Sequence, residues 1–295
     1  MYYYKPDEDA YYITTTKNGS TLLHEIAEAD NRLKLIDLHS CLESAHKNNS
    51  IIRIPFRNPK PRFISGLSVN LFNNTNGRFA VDLHGATPTF TLSVHYNNFV
   101  NFFKNSINNL NFFAPGKIIS PPYHLFDSHL DHWLCIPLLL ILCDYKVELI
   151  PMHDFTNHLT ERFPDCSHIV KARERKNSFD IVNDELLPLW EAYKHVMIDT
   201  STYSYSWDEW MSPELEIFNI LSSDYDKDIV KSTFEKLWYQ KIYFNEPFSP
   251  RCNNMYNFLY VIQQVRKPIP ELAQFVNDYH TIYKSIDLFR NKQIG

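Results

Sequence analysis

Glycine is scarce in this sequence, six residues in 295, and no excess of positive charge offsets its acids. A formal net charge of -5 and a pI near 6.2 leave no overall basic field. A nucleic-acid partner would need a local basic patch, and none is expected. The five cysteines are odd in number and irregularly spaced, which argues against a disulfide framework or paired zinc knuckles and points to a reducing working compartment. Long hydrophobic runs are missing too. The longest, "CIPLLLILC", falls well short of the roughly 20 residues that cross a bilayer. The opening "MYYYKPDEDAYY" has neither a basic n-region nor an apolar h-region. The expectation is a soluble protein with no transmembrane segment, exported, if at all, by a non-classical route.

What the chain does carry is apolar and aromatic mass, 44% and 15%, enough for one large domain or two smaller ones. Its richness in Asn, Tyr, Phe and Ile suggests a low-GC bacterial or viral coding sequence. Residues 19–47 recur with helical spacing at Leu23, Ile26, Ala27, Leu33, Ile36 and Leu38, which predicts a helix or helix pair with Ser20 or Thr21 capping the first turn. "GSTLLHEIA" is also like the start of an ankyrin repeat, but no second copy follows about 33 residues on.

From Ser50 the texture changes. "SIIRIPF", "RFISGLSVNLF", "RFAVDLHG" and "TFTLSVHY" are short β-branched or alternating runs, which predict a sheet of about four strands. A helix over "NNFVNFFKNSINNLNFF" and a strand at "GKIISPPYHLF" come next, the strand ending at an edge because of Pro121 and Pro122. Beyond "DSHLDHWLCIPLLLILCDY" the pattern is mainly helical, through "VNDELLPLWEAYKHV", "SPELEIFNILSS", "KDIVKSTFEKLWYQKIY", "NNMYNFLYVIQQV" and "PELAQFVNDYHTIYKSIDLF". Pro213 and Pro270 fit first-turn positions. The order predicts an α+β fold: a small mixed sheet with flanking helices, then a mainly helical C-terminal half. We expect an α+β domain over residues 1–200 and a helical region over 201–295.

Four constellations carry possible chemistry. "DSHLDH" resembles the H-x-H-x-D-H signature of the metallo-β-lactamase fold, with Asp127 where the first histidine belongs. It offers His129, Asp131 and His132 to a metal-dependent hydrolase; the plainer account is a helix cap facing water. "MHDFTNH" offers His153, Asp154 and His158, but a spacing of five does not put both histidines on one face, and a solvated helix start explains them. The D-x-D of "SSDYDKD" sits between helical runs, where Asp228 serves as an N-cap. Cys135 follows a polar loop and opens an apolar helix, where the helix N-terminus stabilises a thiolate. That puts it on the rim of a cleft, as a nucleophile or as a buried inert thiol.

Read together, residues about 60–200 resemble the YopJ family of secreted bacterial effectors, Ser/Thr and Lys acetyltransferases on a ubiquitin-like-protease type of cysteine fold. The order "GRFAVDLHG", "TFTLSVHYNNF", "FVNFFKNSINNL", "GKIISPPYHLF", "CIPLLLIL" follows that of the family, and "LPLWEAYKH" is similar to its Leu-Pro-x-x-Phe-Tyr-Lys-His motif with one extra residue. The resemblance implies that Cys135 is the nucleophile, that Asp82 is the strand aspartate, and that acetyl-CoA is the acyl donor. Gly77 stands where the family has its catalytic histidine, His95 near its acid and His129 at its oxyanion-side glutamine. Either His84 or His95 then serves as base, or the chain is an inactive relative. The resemblance further implies an inositol hexakisphosphate site built from Lys194, His195 and the basic segment Lys171, Arg173, Arg175 and Lys176, since clustered ammonium and guanidinium groups suit a polyphosphate.

The expectation is therefore a bacterial effector made in the bacterial cytoplasm and secreted into the host cytoplasm, where it acts on a protein through a cysteine acyl intermediate. The alternative is a non-catalytic interaction or regulatory protein whose aromatic helical half binds a host or bacterial partner.

Overall fold

The computed structural model describes residues 1–15, 18–62, 133–176, 197–199, 204–239 and 251–266. The strands expected between residues 63 and 96, the helix and strand that follow them, and the domain boundary expected at 200–201 lie outside the described residues.

The N-terminal tyrosines form an antiparallel hairpin that the sequence reading did not anticipate. β1 (Tyr2–Lys5) pairs with β2 (Ala10–Ile13) in the register Tyr2↔Ile13 to Lys5↔Ala10. A 3-10 turn, Pro6–Glu8, joins them and ends at Asp9 with φ 45°. Proline fixes φ at the turn's start, and aspartate tolerates the left-handed region at its end.

The expected helix pair is present, split by a short strand: α1 (Ser20–Ala29), β3 (Lys34–Ile36) and α2 (Leu38–Asn48). Ser20 is not the cap of α1 but its first helical residue; Gly19, at φ 74°, is the N-cap. Asp37 caps α2 by accepting from Ser40 N–H at 2.9 Å, and Asn49 closes it in the left-handed region at φ 55°.

β4 (Ile51–Phe56) is the strand predicted by "SIIRIPF". α3 (Cys135–Leu142) follows in the described chain, and then β5 (Lys146–Pro151), a strand inside the part of the chain read as helical. Next come α4 (Met152–Arg162), α5 (Ser167–Lys176), the two-stranded ribbon β6 (Met197–Asp199) and β7 (Ser204–Ser206), and helices α6 (Trp207–Leu221), α7 (Lys227–Tyr239) and α8 (Arg251–Val265). Pro213 lies inside α6, not in its first turn. Asp226, rather than Asp228, caps α7, accepting from Ile229 N–H at 2.7 Å.

The sheet is mixed, in the order β3-β1-β2-β4-β5: β1 is antiparallel to β2 and β3, whereas β2–β4 and β4–β5 are parallel. Together with its helices this is an α+β fold. Side chains alternate across a strand, so each face has its own core. Tyr11, Ile13, Ile52, Ile54 and Phe56 face the cluster built with α2, α3, α6, α7 and α8, where Phe56 stacks on Phe218 at 4.8 Å. Tyr3, Tyr12 and Ile150 face the cluster built with α1 and α4, around Leu23, Ile26, Phe155 and Leu159.

The chain groups into two compact units, Met1–Arg57 with His132–Lys171 and Glu216–Gly295, and Asn58–Asp131 with Ala172–Leu215. The first holds the five-stranded sheet. The second holds the β6–β7 ribbon and the ion pair of Arg62 with Glu214, 3.7 Å apart and both buried.

Candidate functional site

Of the residues the sequence singles out for catalysis, Cys135 alone is described. It is the first residue of α3, as expected of a thiol that opens an apolar helix, and no side chain caps that helix. Its exposure differs from the expected cleft rim: Cys135 is 3% accessible, between Leu134 at 2% and Ile136 at 0%. The cause is the helix itself, apolar on nearly every side, which can only be satisfied by burial; α7 and α8 pack against it. Cys143, at its far end, is buried too, and burial pushes its thiol up to about 12.

His84, His95, Lys194 and His195 lie outside the described residues, as do His129, Asp131, His132, Gly77 and Asp82. The basic segment falls on α5, where Lys171 is exposed; Arg173, Arg175 and Lys176 are helical in backbone. Among the described residues no group of His, Cys, Asp and Glu is arranged to hold a metal, and no helix is long and apolar enough to cross a membrane.

Among the described residues, one extended polar constellation is announced by no sequence motif. Tyr12, Arg53 and Glu148 stand side by side on β2, β4 and β5, on the face covered by α4. Arg53 Nε donates to Glu148 Oε2 at 2.8 Å, and its Nη1 donates to Tyr12 Oη at 3.3 Å and to Glu8. Glu8 also receives Arg162 Nη1 from α4 and Lys5 Nζ at 2.9 Å. Burial alone would raise the Glu8 carboxyl, but hydrogen bonds from Lys5 and Arg53 and the charges of Arg53 and Arg162 hold it down at about 2.

His158 completes the group, its Nε2 3.0 Å from Tyr12 Oη. Burial, reinforced by Arg162 and Arg53, pushes His158 down to about 4, and burial pushes the Tyr12 phenol up to about 12. The ring is therefore neutral at pH 7, and its tautomer sets which partner of the Tyr12–His158 bond donates. "MHDFTNH" is thus divided: the side chains of His153 and Asp154 are exposed, as a solvated helix start requires, whereas His158 turns onto the sheet. Three cations, Lys5, Arg53 and Arg162, meet three carboxylates, Asp7, Glu8 and Glu148. The network is charge-balanced and internally bonded, and its role is to clamp α4 and the β1–β2 turn onto the sheet.

Comparison with models of known families, with curated proteins and with solved structures finds no match to this chain.

Proposed function

We propose that this chain is a YopJ-like effector of cysteine-protease type, with a mainly helical C-terminal half, that binds a host protein without turning over acetyl-CoA. The observation that carries this reading is Cys135, which heads α3 as the family nucleophile would, yet is 3% exposed inside an apolar cluster. A thiol that accepts an acyl group must meet its donor, and reactive cysteines sit in accessible, electropositive surroundings. Gly77 stands where the family has its catalytic histidine, so the family's own base is not matched at that position, which supports the same conclusion. On this reading the protein is made in a bacterial cytoplasm and acts in the host cytoplasm, with inositol hexakisphosphate bound by Lys171, Arg173, Arg175, Lys176, Lys194 and His195.

Retained acyl transfer is the second reading, favoured by the position of Cys135 at a helix start, with His84 or His95 as base. Intact-mass analysis after incubation with labelled acetyl-CoA separates the two. No thioester is expected; an adduct lost in Cys135→Ala establishes the enzyme. Inositol hexakisphosphate should raise the melting temperature, since a ligand that binds only the folded chain stabilises it. The shift should vanish when Arg175, Lys194 and His195 are all changed to Gln, and a shift that survives would sink the family reading.

A further inference from the structure

Two helices, α7 and α8, pack along α3, and a single carboxylate holds one end of each. Asp144 follows α3 in the left-handed region at φ 58°, and its backbone N–H donates to Ile141 O at 3.1 Å. Its side chain, 64% exposed, is shared by Lys227, the first residue of α7, and by Arg266, which follows α8, with Arg266 Nη2 3.9 Å from Asp144 Oδ2. Arg266 also lies over the Tyr145 ring, 5.8 Å from its centroid. At the other end of α3 the contacts are aromatic: Phe258 of α8 meets Trp133 edge-on at 6.3 Å and Tyr2 at 5.9 Å. α8 therefore runs beside α3 in the same direction, from Trp133 to Asp144.

The two kinds of contact hold the helices differently. Val230, Phe234, Phe258, Leu259 and Ile262 are buried in the same cluster as Cys135, and apolar burial of this sort attracts without fixing a direction. The charged end fixes the placement, yet it grips weakly, because ion pairs this exposed contribute little and are screened by salt. Closure there also has a cost. Arg266 Nη1 and Tyr145 Oη are buried with no hydrogen-bond partner among the described residues, and lifting α8 returns both to water. Helices fastened by exposed ion pairs over unsatisfied polar groups open at a lower free energy than the whole protein unfolds.

We propose that α7 and α8 form a latched cover over α3, with Asp144 as the latch, and that releasing it exposes the helix headed by Cys135. Closed, the cover accounts for a thiol enclosed at a helix start. Open, it bares Cys135 and the apolar run behind it together. The latch goes beyond the function proposed above and holds whether or not Cys135 carries an acyl group.

The test uses the full chain under native conditions, with a thiol-specific probe and peptide mapping. Asp144→Asn removes the charge but keeps a residue that tolerates a positive φ. Cys135 and Cys143, at the two ends of α3, should react about fivefold faster in that variant than in the unmodified protein. Cys166, buried on the opposite face of the sheet with α1 and α4, should keep its rate. Sodium chloride at about 0.5 M should speed the labelling of Cys135 in the unmodified protein and add nothing in Asp144→Asn. Lys227→Met, which removes one of the two ion pairs, should fall between. Amide hydrogen exchange should rise in α7 and α8 of Asp144→Asn and stay unchanged in α1 and α4, a readout independent of thiol chemistry. Cys166 accelerated as much as Cys135 would mean loosening of the whole fold and would overturn the proposal, as would Cys135 labelling that neither the variants nor salt change.

Discussion

The hydroxyl of Tyr12 and Nε2 of His158 lie 3.0 Å apart although 146 residues separate them in sequence. The bond joins β2, the central strand, to the middle of α4, where burial beside Arg162 and Arg53 favours the neutral imidazole. Acid should therefore act on it first.

With its pKa pushed down to about 4 by burial and the neighbouring arginines, against about 6.5 when unfolded, His158 takes up a proton more readily in the unfolded chain. Stability contributed here is complete above pH 6.5 and is lost as pH falls from 6.5 towards 4. Glu8, held at about 2, adds a loss that begins below about pH 4.5. Urea unfolding at pH 7 and pH 5 should differ by about 1–2 kcal/mol more in the unmodified protein than in His158→Gln, a figure discounted for partial exposure. Identical pH profiles would exclude His158 as the source.

Arg53 is buried and bridges Glu8, which is partly buried, to Glu148, which is exposed, so Arg53→Met takes from Glu8 one of its three cationic partners. We expect a loss of about 1–3 kcal/mol in chemical denaturation. The loss should be smaller when Glu8→Gln is added, because the carboxylate that loses its partner is then neutral. A double variant that is simply additive would show that the two side chains act independently.

Gly19 combines a φ of 74° with a Cβ path blocked by Phe155. Gly19→Ala should cost about 2–4 kcal/mol through backbone strain and overpacking. Adding Phe155→Leu should recover part of that loss by opening space beside residue 19. A neutral Gly19→Ala in thermal denaturation would contradict the packing described.

Cys41, Cys135, Cys143 and Cys166 are all buried, and a thiol-specific probe should modify them only as fast as the protein opens. Peptide mapping under native conditions should find Cys135 no faster than Cys41 or Cys143. Selective, rapid labelling of Cys135 would restore the nucleophile reading and weaken the proposal of a non-catalytic chain.

Much of the scaffold was legible because it rests on local pattern. The helix pair of 19–47, the strand "IIRIPF" and helices α6, α7 and α8 announce themselves through apolar spacing that a short window contains. The hairpin of β1 and β2 was not legible, since four-residue strands made of tyrosines give no long alternation and draw their stability from pairing. β5 was hidden for the same reason: "KVELIP" becomes a strand because β4 offers it a parallel partner from Ile51↔Lys146 to Phe56↔Pro151. Cap positions slipped by one or two residues, at Gly19 for Ser20 and at Asp226 for Asp228, because several neighbouring polar residues can each supply a cap and only the geometry chooses.

The sequence by itself determined the α+β character and the burial of "IPLLL", with Ile141 and Leu142 half-buried after it, since those follow from residue spacing and from apolar side chains that have nowhere else to go. It also determined that Cys135 heads a helix. The tertiary structure decided that the thiol is enclosed, that Arg53 and Glu148 face each other, and that His158 bonds to the sheet while His153 meets solvent. Those outcomes depend on which segments, tens to more than a hundred residues apart, come to share a face of the sheet, and strand order and register set that at a range no sequence window spans.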